Sequence, residues 1–318
     1  MSTPHRQPLT PPPLALSTRA TSRCLVLFCL ASVVASVGCR KKAVPDTAPA
    51  AAPAAARTSL GVAMFEPRSI DPAQLSDGLG PRVAESVLEG LLTLSATGEP
   101  VAGVAERWSV SDNGLVWTFH LRAGLTWSDG TPLGAQDFVW SLRRALSPAT
   151  ANPQVAMLAA ISGATAVAAG TAKPESLGVA APDAHTLTIT LVRPQAGLPR
   201  LLARAYTFPV PRHVVTKHPT DWTHAEHFVG NGPYVLVEHV HQEKMVLKRN
   251  PRFREAHMVA IETIVLRFTT SVQQGFHWYT LGEVDWSDGL IPSDTVGELK
   301  KTSAPELRID PYDGIFYL

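Results

Sequence analysis

Histidine and cysteine are the side chains here with the widest chemical range, and their placement decides little in favour of catalysis. The cysteines, Cys24, Cys29 and Cys39, all fall in the first 39 residues of the 318-residue chain. Everything after them lacks cysteine, so the body has neither a disulfide framework nor a cysteine metal site. Histidines pair by spacing at His224-x-x-His227 and at His239-x-His241. A transition metal would want a third or fourth ligand at fixed geometry. Such spacings also arise by chance in histidine-rich loops, and no metal ligand is assigned from them. No serine sits in a G-x-S-x-G elbow, and none has a lysine three residues on. Gly78-Leu79-Gly80 opens like a dinucleotide loop, but Val83 stands at the third glycine position and no suitable strand abuts it. With no nucleophile–base pair in view, no catalytic residue and no cofactor are assigned. A secreted hydrolase would have to use residues that spacing does not reveal.

The rest of the chain must therefore be read for what it positions. Hydrophobic residues make up 45% of the sequence and the formal net charge is +1. That is enough apolar material for a core, and it gives no electrostatic footprint for nucleic acid. No run of 18 apolar residues is present to span a bilayer. Arg19 and Arg23 precede an apolar run from Cys24 to Ala35, short for a membrane span and suited to a signal peptide over 1–38. Ser36-Val37-Gly38-Cys39 resembles a lipobox, with Ser36 where leucine is usual. Cys39 is the expected lipidation site, and through it the membrane is an expected partner. Residues 39–58, basic at Arg40-Lys41-Lys42 and then rich in Ala and Pro, have little to bury and read as a tether.

Beyond the tether the pattern is mixed α/β. Apolar or alternating runs predict strands at Leu60–Phe65, Trp117–Arg122, Leu187–Leu191, Tyr234–Val237, Met245–Leu247 and Ile264–Phe268. Val83, Val87 and Leu91, with Leu88 beside them, predict a helix over Pro81–Leu92. A second helix is predicted from Ala135 to Leu146, with Phe138, Leu142 and Ala145 on one face. Ser128-Asp129-Gly130-Thr131-Pro132 is turn chemistry.

Several of these segments carry a resemblance. Gly103-Val104-Ala105-Glu106-Arg107-Trp108, then Trp117-Thr118-Phe119-His120-Leu121-Arg122, then Trp127 to Ser141 closely resemble the signature of the family-5 extracytoplasmic solute-binding proteins. Glu66 to Pro72, Glu89-Gly90-Leu91-Leu92, Asn231-Gly232-Pro233-Tyr234 and Leu247-Lys248-Arg249-Asn250-Pro251 match further landmarks. These residue types read as scaffold: Trp117, Phe119 and Trp127 as buried area, Asp129-Gly130 as a tight turn, and Gly134 as a helix N-cap where relatives have Thr or Ser.

The resemblance implies a periplasmic-binding-protein-like fold of two lobes with ligand enclosed between them. The first lobe would be discontinuous, over 59–88 and 209–313, with an inserted subdomain at 89–208. The second would start at 314–318, at the hinge, and its remainder would lie beyond Leu318. The implied function is capture of oligopeptides for the permease of an ABC transporter, by a monomer at the periplasm or outer cell surface that touches no nucleic acid. Binding of a nickel chelate, haem or another small solute, or a role as a sensor lipoprotein, is the alternative. Matched residue by residue, the ligand-facing positions are Ser76, Gly78, Tyr312 and Tyr317. An aromatic contact of some relatives falls on Gln154.

Overall fold

The computed structural model describes residues 58–302 and Leu307, all within the unit of the chain that begins at Ala54. The expected signal peptide, Cys39, the tether up to Arg57, and both Tyr312 and Tyr317 lie outside the described residues.

Three sheets organise the architecture. The largest contains β1 (Ser59–Met64), β8 (Tyr234–Val240), β9 (Lys244–Arg249), β10 (Thr263–Phe268) and β11 (Trp286–Ser287), in the order β11-β1-β10-β9-β8. Strand β1 runs parallel to both β10 and β11, while β10-β9-β8 is an antiparallel meander. Register places Leu60 beside Ile264, Val62 beside Leu266 and Met64 beside Phe268. Because side chains alternate across a strand, these six share one apolar face. Leu247 joins them opposite Ile264.

The chain leaves this sheet after β1 and returns at β8. In between, β2 (Leu92–Leu94) and β3 (Pro100–Ala102) form a two-stranded ribbon. Strands β4 (Ala105–Val110), β5 (Val116–Leu121), β6 (Val179–Asp183) and β7 (Thr186–Thr190) make an antiparallel sheet in the order β4-β5-β7-β6. Trp117 pairs with Ile189 and Phe119 with Leu187, all four buried.

The helices are α1 (Gly80–Val87), α2 (Ala135–Leu146), α3 (Ala164–Ala168), α4 (Leu198–Leu202), α5 (Arg212–Lys217), α6 (Val272–Thr280) and α7 (Ser293–Thr302). Helix α2 has the bounds its periodicity predicts, and it packs on β6 and β7 with Phe138, Leu142 and Ala145 buried. Gly134 offers no side-chain cap. Instead Asp137 Oδ2 accepts the Gly134 N–H at 2.9 Å, half of a capping box. Gly130 holds φ at +92°, the left-handed value its turn requires. Among the described residues no helix is long and apolar enough to cross a membrane.

The first helix departs from expectation. Periodicity carries it to Leu92, but it ends at Val87, and Leu92 begins β2. Asn231 is the reason: its Oδ1 accepts the Glu89 N–H at 3.0 Å and its Nδ2 donates to the Glu89 carbonyl at 2.9 Å. Those two backbone groups are thereby taken from the helix by a residue 142 positions away.

Candidate functional site

The landmarks that carry the resemblance converge on this junction. Gly232 N–H donates to the Val87 carbonyl at 3.0 Å. Ser128 N–H donates to the Gly230 carbonyl at 2.8 Å, and Asn250 Nδ2 to the Gly232 carbonyl at 2.9 Å. Glu89 is clasped by Arg254, whose Nε and Nη2 lie 3.1 and 2.9 Å from its carboxylate oxygens, both side chains being largely buried. Trp127 and Phe119 are fully enclosed. All of this is scaffold, and it fixes where α1 ends.

Helix α1 matters because it borders a cavity of about 1210 Å³. Leu60, Val62, Met64, Leu247, Ile264 and Leu266, the apolar sheet face, line it. Arg82 and Glu85 of α1 contribute charge, as do Asp285 and Asp288 after α6, while Phe276 and Tyr279 of α6 add aromatic surface. Arg82 is ion-paired with Asp288. Among the described residues, strand β11 stands at the end of the sheet order with β1 as its one strand partner. Edge strands of this kind are where an extended peptide can add to a sheet.

The segment leading into α1 is anchored at two points. Asp71 is buried: its Oδ1 accepts the Ala73 N–H at 2.9 Å and Arg144 Nη1 at 3.0 Å. Its Oδ2 accepts Arg144 Nη2 at 2.5 Å and Trp222 Nε1 at 3.1 Å. Six residues on, Asp77 turns its carboxylate onto the backbone N–H groups of Arg68 (2.8 Å), Leu79 (2.9 Å) and Gly80 (2.7 Å). Ser76 and Gly78 flank it, both exposed, with open space beside Gly78. They sit on the loop that feeds α1 and do not line the cavity themselves. Gln154 lies elsewhere, half-buried at the start of a single turn over Val155–Leu158, its N–H bonded to Asn152 Oδ1.

Asp77, Arg82 and Asp288 escaped the sequence reading. Asp77-Gly78 is a turn dipeptide that could have been read there. Nothing in the spacing points to an Arg82–Asp288 pair. Burial alone would raise the Asp77 carboxyl, but the N–H groups of Gly80, Arg68 and Leu79 outweigh it and hold the carboxyl below its ordinary value. A carboxyl depressed by folding stabilises the fold above its unfolded pKa, about 3.9, and loses that contribution as pH falls through the folded value. Asp77→Ala should therefore cost about 1 kcal/mol at neutral pH, in the manner of a lost helix cap. The gap in melting midpoint between variant and wild type should shrink steadily below about pH 4. A gap that stays constant down to acid pH would remove Asp77 from this role.

The two histidine pairs separate. His239 Nε2 and His241 Nδ1 both approach Glu66, at 2.9 and 3.1 Å from Oε1, and Gln242 N–H donates to its Oε2 at 3.0 Å. Burial would raise the Glu66 carboxyl, yet these bonds prevail and hold it low. His224 is exposed, whereas His227 is half-buried against His218 and Asp221.

The fold thus sets its five-stranded sheet and first helix around an open cleft with an apolar floor and charged groups at its rim. Comparison with known proteins makes this specific. The profile of the bacterial extracellular solute-binding proteins, family 5, matches residues 99–318, and the chain belongs to that family. It is 37% identical over 248 residues to the probable deoxycholate-binding periplasmic protein YgiS of Escherichia coli, covering 77% of this chain and 46% of that protein. It is 36% identical over 254 residues to the periplasmic oligopeptide-binding protein OppA of Salmonella typhimurium, covering 79% and 47%. The solved structure of Haemophilus influenzae OppA in complex with RPPGFSPFR superposes with a TM-score of 0.75 at 31% identity, covering 79% of this chain and 49% of that one. The chain thus spans about half the length of the curated relatives it matches, and the fold it shares with them is that of the periplasmic binding proteins.

Proposed function

We propose that this protein is the extracytoplasmic solute-binding component of a peptide-importing ABC transporter, anchored through a lipid on Cys39, that hands its ligand to the permease and performs no reaction. The observation that carries the reading is the likeness, over 79% of this chain, to a relative solved in complex with a peptide. The first lobe is taken as 59–88 with 209–313 and the inserted subdomain as 89–208. In support, one sheet draws on β1 and β8–β11, while the two smaller sheets fall wholly within 89–208. Ser76 and Gly78 on the α1 loop, with Tyr312 and Tyr317, are the residues proposed to meet the ligand. A peptide held as an added strand is gripped by backbone, so affinity should depend weakly on side chains and strongly on the termini.

Calorimetry with mixed di- to pentapeptides tests this. Exchanging a central side chain should change the dissociation constant less than about tenfold, within about 1.4 kcal/mol, and blocking both termini should change it more. Cells grown with labelled palmitate should mark the protein, and Cys39→Ala should remove the label. A second reading has its own support. The apolar cavity face, together with the similarity to a probable deoxycholate-binding protein, suits an amphipathic steroid acid. Heat with deoxycholate and none with peptides would replace the first reading by the second. Heat with a nickel chelate or haem alone would overturn both.

A further inference from the structure

The stretch between α5 and β8 has no regular secondary structure, yet it is held firmly. Lys217 is the last residue of α5, and His218 caps the helix by donating its N–H to the Val214 carbonyl at 2.8 Å. Trp222 N–H then donates to the His218 carbonyl at 3.0 Å, His224 N–H to the Asp221 carbonyl at 2.9 Å, and His227 N–H to the His224 carbonyl at 2.9 Å. Two buried aromatics pin this run of turns. Trp222 stacks on Phe228 with ring centroids 6.1 Å apart, and its indole N–H is bonded to Asp71.

On the other side of the same run, three donor groups meet. The rings of His218 and His227 stack with centroids 3.6 Å apart, and Asp221 lies against both. Its Oδ2 is 3.1 Å from His227 Nε2 and 3.9 Å from His218 Nδ1. One ligand atom from each residue falls within 4.8 Å of the other two, a convergence found nowhere else among the described residues. All three side chains are half-buried, which limits their rotation while leaving a path from solvent.

We propose that His218, Asp221 and His227 bind a divalent transition-metal ion of the zinc type. Imidazole suits zinc, copper and nickel, and two histidines with one carboxylate make a three-ligand set that leaves a coordination position to water. Tetrahedral bonds of about 2.0–2.1 Å put ligand atoms roughly 3.3 Å apart. The present spacings, 3.1 and 3.9 Å from Asp221 Oδ2 and at most 4.8 Å within the set, lie close to that value. Glu226, its Oε1 3.8 Å from His227 Nε2, adds a second negative charge beside the site. The spacing that drew attention in the sequence, His224-x-x-His227, turns out to be the wrong pair. His224 points to solvent, and the true neighbours of His227 are His218 and Asp221.

The His239–Glu66–His241 group is a foil. It also has two histidines and a carboxylate, but Gln242 N–H occupies the second carboxylate oxygen and the three residues do not converge to ligand spacing.

The test is calorimetric titration of zinc chloride into the purified, tag-free chain stripped of metal. One ion should bind per chain, and saturating zinc should raise the melting midpoint, since a ligand that binds only the folded state stabilises it. Loss of a group that merely supports a metal ligand typically weakens binding about 10–100-fold. Removing two direct ligands in H218Q/H227Q should therefore weaken it more than about 100-fold and abolish the thermal shift. H224Q and H239Q/H241Q should bind as wild type. Should H218Q/H227Q fail to fold, D221N supplies the same readout from a more conservative change. The proposal is overturned if no saturable one-to-one binding is seen, or if binding persists undiminished in a folded H218Q/H227Q or D221N variant.

Discussion

Asp71→Ala should lower the unfolding free energy by about 3–5 kcal/mol, the range for removing one partner of a buried ion pair. The aspartate side chain is 8% exposed and that of Arg144 17%, so the guanidinium left behind would be poorly solvated and uncompensated. The loss does not stop at charge. The carboxylate also accepts the Trp222 indole N–H and the Ala73 N–H. Each would become a buried donor without a partner, at about 1–3 kcal/mol apiece before relaxation. Because Asp71 ties the α1 loop to α2 and to Trp222, its removal should loosen the positions of Ser76 and Gly78 as well. Urea denaturation measures the effect as a fall in midpoint at unchanged slope. Asp71→Asn, which keeps the shape and one carbonyl acceptor, should lose less. Asp71→Ala combined with Arg144→Ala should recover part of the loss, since no unpaired charge remains. A single variant within 1 kcal/mol of wild type would show that solvent reaches Arg144 and that the pair is not an anchor.

Gly232→Ala should be nearly as damaging, at about 3 kcal/mol or somewhat more, the upper end for overpacking. A Cβ at this position would stand 2.5 Å from Leu88 N and 2.5 Å from the Val87 carbonyl carbon. Both are backbone atoms, so no side chain can swing away to make room. Relief would require the Asn231-Gly232 strap to lift off the end of α1, breaking the Gly232–Val87 hydrogen bond and the paired bonds from Asn231 to Glu89. For a folded body of this size the loss corresponds to a fall in melting temperature of roughly 6–12 °C. Gly297→Ala is the matching control. Gly297 lies inside α7 with open space where its Cβ would be, so there alanine should be neutral or stabilise by up to about 1 kcal/mol. If both substitutions behave alike, close approach at Gly232 is not what selects glycine.

What the amino-acid sequence determined by itself was the local grammar. Helix α2 was legible from Ala135 to Leu146 because its apolar residues recur at helical period over three turns, and periodicity is a property of neighbours. The six predicted strands were legible for the same reason, although β8 runs on to Val240 and β9 starts at Lys244 and ends at Arg249. Family membership was legible because Trp127 to Ser141, Glu89 to Leu92 and Asn231 to Tyr234 are short contiguous words. Only the tertiary structure showed that these words are one object, a knot in which Ser128, Asn231, Gly232, Asn250 and Arg254 close on the end of α1. It likewise decided that α1 stops at Val87 against its own periodicity, since the groups that would extend it are satisfied from Asn231. Arg82 with Asp288, Asp71 with Arg144 and Trp222, and His218 with Asp221 and His227 were beyond sequence reading in the same way. Pairings between distant residues, and turns with no fixed period, leave no regular spacing in a chain. They come into being when strand order and helix packing bring separate segments within hydrogen-bond reach.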